Sequence, residues 1–100
     1  MEYFMVNVVA VNFVKKECVG EFIKTAAELV SETNKEAGCI AYDLYQDINC
    51  DQRLTFIECW ESQGHLDAHV QSAHFKRIVP SLAGMSDPAG VGGATFYKKC

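Results

Sequence analysis

The beginning of the chain alternates with a period of two residues. Along residues 3–13, one face carries Tyr3, Met5, Asn7, Val9, Val11 and Phe13, and the other carries Phe4, Val6, Val8 and Ala10. Side chains of a β-strand point alternately to its two sides, so this pattern predicts a strand. Both faces are largely apolar, and we therefore expect the strand to be central or covered on both sides.

The period then changes to that of a helix. Apolar side chains recur at helical spacing, with acids and a lysine between them; they are Val19, Phe22, Ile23, Ala26, Leu29 and Val30. One apolar stripe of this kind predicts an amphipathic helix. We expect it to stop near Gly38, because glycine adopts the left-handed backbone of a helix end at little cost.

The remaining elements follow from strand patterns and capping residues. Residues 39–47 and 53–61 are rich in strand-forming side chains, and the polar residues 48–52 between them predict a hairpin connection. Ser62 is a suitable N-cap for a helix with the inward stripe Leu66, His69, Val70 and Ala73, and Ser72 for a short helix limited or kinked by Pro80. A loop at 84–93 and a last strand at 94–99 complete the chain.

This order, β-α-β-β-α-β, predicts an α+β fold of the ferredoxin-like sandwich type, formed by residues 1–100 as a single domain. In such a fold the helices cover one sheet face. Since the strands are apolar on both faces, a second sheet must cover the other, most simply that of an identical subunit. The sequence therefore predicts a homodimer, with a small apolar pocket between sheet and helices.

Composition indicates which kinds of partner the protein can bind and in which cellular compartment it works. The net charge is −4 and 22% of residues are charged, which argues against a nucleic-acid or anionic-membrane surface. No apolar run approaches the roughly 20 residues that span a bilayer, and the first residues lack the features of a secretory signal. Five cysteines without a CxxC pair favour reduced thiols. We expect a cytoplasmic protein.

Polar side chains in the predicted core are the candidates for chemistry. Asn7 lies among apolar neighbours, where it either bonds a buried group or contacts a ligand. His69 lies in the inward stripe of its helix, with Asn7, Glu58, Trp60 and Tyr42 or Tyr45 as possible company. A buried, desolvated imidazole can accept a proton near neutral pH.

A metal site is not predicted. His65 and His69 are four residues apart on one helical face, but the residues between them do not form an HExxH motif. His74, the only other histidine, has a poor angular position for a third ligand. Motifs for a nucleophilic serine, a dinucleotide or a phosphate loop are missing from the sequence as well.

Residues 56–75, FIECWESQGHLDAHVQSAHF, resemble the antibiotic biosynthesis monooxygenase domain family, and within it small bacterial quinol monooxygenases. The shared pattern consists of Glu58, Trp60, Glu61, His65, Leu66, His69, Ser72, His74 and Phe75. Residues 36–47 and Asn7 are also similar to the family. The resemblance implies a dimeric α+β barrel in which a pocket in each subunit oxidises a phenol or hydroquinone with O₂, without flavin, heme or metal.

The resemblance also implies roles for individual residues. His69 is the expected base, and Asn7 and Trp60 are the expected hydrogen-bond donors to a substrate oxygen. Phe56 and Phe75 are expected to be walls of the pocket. The further expected contacts with the substrate are His74, Glu58 and Tyr42.

Other activities on the same fold remain open. Heme-degrading relatives carry a tryptophan where this chain has His69 and a histidine where it has Val79, which argues against heme. A related branch isomerises small phosphorylated ketones with paired helix histidines, and Lys76 and Arg77 are the nearby basic residues. A third class of relatives binds small ligands without catalysis.

Overall fold

Four strands and three α-helices make up the computed structural model, which describes residues 3–100. In chain order they are β1 (Val6–Phe13), α1 (Val19–Thr33), β2 (Cys39–Asp47), β3 (Cys50–Trp60), α2 (Gln63–Val70), α3 (Ala73–Ala83) and β4 (Gly93–Tyr97). A single 3₁₀ turn, Lys16–Cys18, leads into α1. The predicted ferredoxin-like α+β order is confirmed, with the second helix divided into α2 and α3.

The sheet has the strand order β2-β3-β1-β4, and every neighbouring pair is antiparallel. Strand β1 is therefore central, as its apolar pattern predicted. Strands β2 and β4 form the two edges. All residues of β4 are exposed, so this strand is held mainly by its backbone hydrogen bonds to β1.

Helix α1 ends earlier than predicted. Its last residue is Thr33, and the expected end near Gly38 is wrong by about one helical turn. The Asn34 side-chain amide donates hydrogen bonds to the carbonyl oxygens of Val30, at 2.8 Å, and Tyr42, at 2.9 Å, which closes the helix and ties it to β2. Gly38, with φ of 79°, instead ends the turn that follows.

The two predicted N-caps are confirmed. The Ser62 hydroxyl oxygen accepts a hydrogen bond from the backbone N–H of His65, and that of Ser72 from the backbone N–H of Phe75. Ser72 begins a new helix directly after α2, so the chain changes direction between Val70 and Ala73. Pro80 lies inside α3, which nevertheless continues to Ala83.

Strand register separates the side chains into two surfaces. Val6, Val8 and Ala10 of β1 pair with Trp60, Glu58 and Phe56 of β3, and these side chains face the helices. We call this the inner face. The alternate residues form the outer face, which includes Asn7, Val9, Val11, Ala41, Tyr45, Thr55, Ile57, Cys59, Thr95 and Tyr97.

Among residues 3–100, no helix is both long enough and apolar enough to span a membrane. All five cysteines are free thiols, as the sequence predicted. Burial raises the pKa of the Cys39 thiol to about 11, so this side chain stays protonated at neutral pH.

Candidate functional site

A cavity of about 280 Å³ lies between the inner face of the sheet and the helices. Its walls are mostly apolar side chains, including Phe56, Leu66, Phe75, Leu82 and Phe96. The polar lining comes from Asn12, Tyr42, Glu58, His69 and Ser86. Apolar walls with a few polar groups are typical of a site for a small organic molecule.

His69 is held in this wall by aromatic rings. Its centroid lies 4.7 Å from that of Trp60, 5.0 Å from that of Phe75 and 5.3 Å from that of Tyr42. Only 2% of the residue is exposed. The imidazole therefore has a fixed orientation, because none of these three neighbours can move away without opening the core.

Glu36 fixes one nitrogen of that imidazole. Glu36 lies in the turn between Thr33 and Gly38, and its Oε2 is 2.7 Å from Nδ1 of His69. The same oxygen is 2.7 Å from Nε2 of His74, at the start of α3. An ionised carboxylate can only accept hydrogen bonds, so both imidazoles donate to it. We call these three residues the Glu36–His69–His74 cluster.

The other nitrogen of His69 is available to a ligand. Within residues 3–100, Nε2 forms no hydrogen bond. It is not fully buried either, because Thr33 Oγ1 is the one fully buried side-chain polar atom without a partner in that range. Nε2 therefore keeps accessible surface, and this surface is reached from the cavity that His69 lines. Because Nδ1 carries the hydrogen, Nε2 presents its lone pair. Burial lowers the pKa of His69, although the hydrogen bond to Glu36 opposes this, and the imidazole is neutral near pH 7.

Glu58 is a second ionisable group of the cavity. It is buried between Val8 and Tyr42 on the neighbouring strands. Burial raises the pKa of its carboxyl, and the hydrogen bond from Trp60 partly offsets that effect. Burial also raises the pKa of Tyr42, whose phenol keeps its proton. The cavity therefore contains a lone pair on His69 and a hydroxyl donor on Tyr42.

Asn7 is placed differently from the expectation. It pairs with Cys59 on β3 and Tyr97 on β4, so it belongs to the outer face, on the opposite side of the sheet from His69. The prediction that Asn7 and His69 meet in one pocket is wrong. The physical reason is the alternation of the strand: Val6 and Val8 face inward, so the residue between them faces outward.

Trp60 also differs from the expectation. Its indole N–H donates to Oε1 of Glu58 at 3.0 Å, and the residue is fully buried. An indole has a single donor, so no donor remains for a substrate oxygen. The predicted donor role of Trp60 is therefore wrong in this structure. Trp60 instead supports Glu58 and packs on the ring of His69.

The other expected contacts divide into two groups. Phe56, Phe75, Tyr42 and Glu58 line the cavity together with His69. His74 does not line it and contacts Glu36 instead. His65 is outside the cavity as well, with its Nδ1 2.8 Å from the Ser62 hydroxyl.

Sequence reasoning missed Glu36 and Asn12. Glu36 begins the segment 36–47 that is similar to the family, but it is 33 residues from His69 in the chain, so the sequence did not show their contact. Asn12 could have been found, because it pairs with Leu54 and shares the inward face of β1 with Val8 and Ala10. Asn12, and not the predicted Asn7, is the asparagine of β1 that lines the cavity.

Comparison with known proteins identifies the family. The model of the family described as antibiotic biosynthesis monooxygenase matches residues 5–81. An uncharacterized Synechocystis protein is 36% identical over 66 residues, which are 66% of this chain and 45% of that protein. YcnE of Bacillus subtilis, named as a candidate monooxygenase, is 30% identical over 66 residues, 66% of this chain and 70% of YcnE.

Solved structures agree over nearly the whole chain. A conserved protein from Methanosarcina mazei has a TM-score of 0.91 and 40% identity, covering 97% of this chain and 94% of its own. A structure described as an antibiotic biosynthesis monooxygenase has a TM-score of 0.88 and 30% identity, and the match covers 95% of this chain and 98% of that one. These likenesses support a monooxygenase-type function in general terms. The chain belongs to the antibiotic biosynthesis monooxygenase family.

Proposed function

We propose that the protein is a cofactor-free monooxygenase that oxidises a small phenol or hydroquinone with O₂ in the cavity described above. The observation that carries this proposal is the free Nε2 of His69, which opens to the cavity while Glu36 holds Nδ1. An imidazole held in this way can take the proton of a bound phenol.

The chemistry needs little else from the protein. Transfer of the hydroxyl proton to Nε2 leaves a phenolate, which is electron-rich enough to donate electrons to O₂ itself. For a hydroquinone the balance is substrate plus O₂ giving a hydroxyquinone plus water, and the substrate supplies all four electrons. Apolar walls such as Phe56 and Phe75 exclude water from the reacting atoms.

The cavity also sets the size of the substrate. Its volume of about 280 Å³ lies just below the range of about 300–1,000 Å³ for small-molecule sites. Tyr42 is one donor available to a substrate oxygen, and the phenylalanine rings offer faces for an aromatic ring. A small aromatic molecule with at least one hydroxyl group matches these features.

A homodimer is part of the same proposal. The outer face exposes Ile57, Tyr45 and Tyr97, which are 45%, 51% and 53% exposed, around the half-buried Val9 and Val11. An exposed apolar surface of this kind is typical of an interaction site. Packing against the same face of a second copy would cover it.

Oxygen uptake with a panel of hydroquinones, without added cofactor, tests the function. We expect uptake above the rate in buffer, with one atom of ¹⁸O₂ in the product. Replacement of the base in His69→Gln should lower the rate by about 10²–10⁴-fold. The matched control is His65→Gln, on the same helix but outside the cavity. Equal rates for the two variants would show that His69 does not act as the base. Isomerisation of a small phosphorylated ketone without O₂ would show that the protein is an isomerase instead of a monooxygenase.

A further inference from the structure

The Glu36–His69–His74 cluster has a second chemical property besides orienting an imidazole. Its ligand-type atoms, one on each side chain, all lie within 4.8 Å of one another. They come from three elements, namely the turn after α1, helix α2 and helix α3. Helix packing and the two serine N-caps therefore hold the three groups near one point.

The surroundings of the cluster favour a cation. Within residues 3–100, the basic side chains within 4.0 Å of Glu36 are the two imidazoles, and no lysine or arginine joins them. The side chains of Glu36, His69 and His74 are 15%, 2% and 17% exposed. Partial burial protects the site from competing water, and the exposed fraction of Glu36 and His74 provides access from solvent.

The donor set selects the type of ion. Two imidazole nitrogens and one carboxylate are ligands that Zn²⁺ and neighbouring transition metals bind, whereas Mg²⁺ and Ca²⁺ prefer oxygen. Cys39 is close in sequence, but its thiol pKa of about 11 makes it a poor additional ligand. Three protein ligands leave a fourth position for water.

We propose that the cluster is a binding site for Zn²⁺ or a similar divalent transition-metal ion. On binding, Nδ1 of His69 and Nε2 of His74 each lose a hydrogen to solvent, and the other nitrogen of each ring takes one up, so the number of protons on each ring is unchanged. Glu36 Oε2 now lies 2.7 Å from each of the two nitrogens. An ion fits between these atoms when the Glu36 carboxylate, which lies on a turn, moves outward. No movement of the sheet is needed.

A metal ion bound at this cluster would prevent His69 from acting as a base. With Nδ1 of His69 on the metal, the imidazole carries its hydrogen on Nε2, the atom that faces the cavity, and cannot accept the proton of a phenol. The ion would therefore act as an inhibitor. This consequence for activity rests on the proposed function, whereas the binding itself does not.

Competition with a chromophoric zinc chelator measures binding without any enzyme assay. We expect one Zn²⁺ per chain in the wild type. Affinity should fall at least about tenfold in Glu36→Gln and in His74→Ala, each of which removes one ligand. The control Asp67→Asn should bind as the wild type does, because Asp67 is exposed on α2 and bonds Gln63 outside the cluster. Circular dichroism of each variant confirms the fold, and His74→Gln serves where His74→Ala does not fold.

Two results would overturn the site. One is the absence of binding in the wild type at chelator-limited zinc, and the other is binding that the cluster variants retain in full. If zinc binds and the hydroquinones are not oxidised, the metal site stands and the proposed function fails. If oxidation occurs, Zn²⁺ should suppress it in the wild type at concentrations at least about tenfold lower than in His74→Ala.

Discussion

At the scale of single residues, Glu58 and Trp60 form the most constrained pair of the inner face. The Trp60 N–H donates to a carboxyl group that is itself buried in the cavity wall. Because burial raises the pKa of Glu58, folding opposes its ionisation. The other titratable groups around it are Tyr42 on β2, His69 on α2 and Glu36 in the turn after α1.

Stability should depend on pH through Glu58. A carboxyl with a raised pKa in the folded state contributes its full stability below its unfolded pKa, near 4.5, and loses it as pH rises through the folded value. Glu58→Gln removes this dependence, so urea denaturation from about pH 5 to 8 should show a flatter profile for the variant. Parallel profiles would contradict the prediction.

Residue placement also shows what the sequence could and could not predict. The inward direction of His69 and Glu58 was predictable from helical and strand periodicity. The outward direction of Asn7 was not predictable from the same alternation, because both faces of β1 are largely apolar and the pattern does not show which of them meets the helices. Glu36 could not be predicted, because contacts between side chains far apart in the chain depend on how helices pack.

At the scale of elements, the turn between α1 and β2 positions Glu36. Gly38 ends this turn with φ of 79°, and its Cα lies so close to the His65 ring that an added Cβ would clash with it. Its carbonyl oxygen accepts a hydrogen bond from the backbone N–H of Glu61 at 2.9 Å. The turn is thereby fixed to the end of β3 and to α2.

Gly38→Ala should therefore destabilise the protein. The left-handed backbone disfavours alanine by about 1 kcal/mol, and the displacement of the His65 ring adds to this cost. The control is Gly20→Ala in α1, where nothing lies within 4 Å of an added Cβ and alanine favours the helix. Thermal denaturation should show a lower midpoint for the first variant and an equal or higher one for the second. A midpoint for Gly38→Ala at or above that of the wild type would disprove the strained position.

The order and type of the elements were predictable because their periods are clear, whereas their ends were less so. Helix α1 stops at Thr33 because the Asn34 amide bonds Val30 and Tyr42, a tertiary contact that local sequence does not show. The hairpin between β2 and β3 is tighter than residues 48–52 suggested, since β3 already begins at Cys50. Side-chain hydrogen bonds of Asp47 and Gln46 stabilise this turn.

At the scale of the whole molecule, the two sheet faces have different environments. The helices cover the inner face, while the outer face retains exposed apolar side chains. Two of its residues, Thr55 and Tyr45, face each other across β3 and β2. Apolar and small polar groups make up most of this face, together with the exposed Asp43 and Arg53, whose charges are opposite, and such a surface is suited to packing on an identical copy.

The proposed homodimer leads to a direct prediction. Ile57→Asp places a charge at the centre of the outer face, so we expect the protein to become monomeric in sedimentation equilibrium. Ile23→Asp is the control, since Ile23 on α1 is 42% exposed, close to the 45% of Ile57, but lies on the helical side. A monomeric wild type, or equal dissociation of both variants, would rule out this interface.

The position of β1 has a consequence for how the chain can change in length. Its even-numbered residues face the helices and its odd-numbered residues form the opposite surface, so inserting or deleting one residue in Val6–Phe13 would exchange the two sets downstream. Asn12 would leave the cavity, and the valines of β1 would exchange between the buried inner face and the outer face. Natural variants of this protein should therefore gain or lose residues in segments such as 84–92, and keep the length of β1 constant.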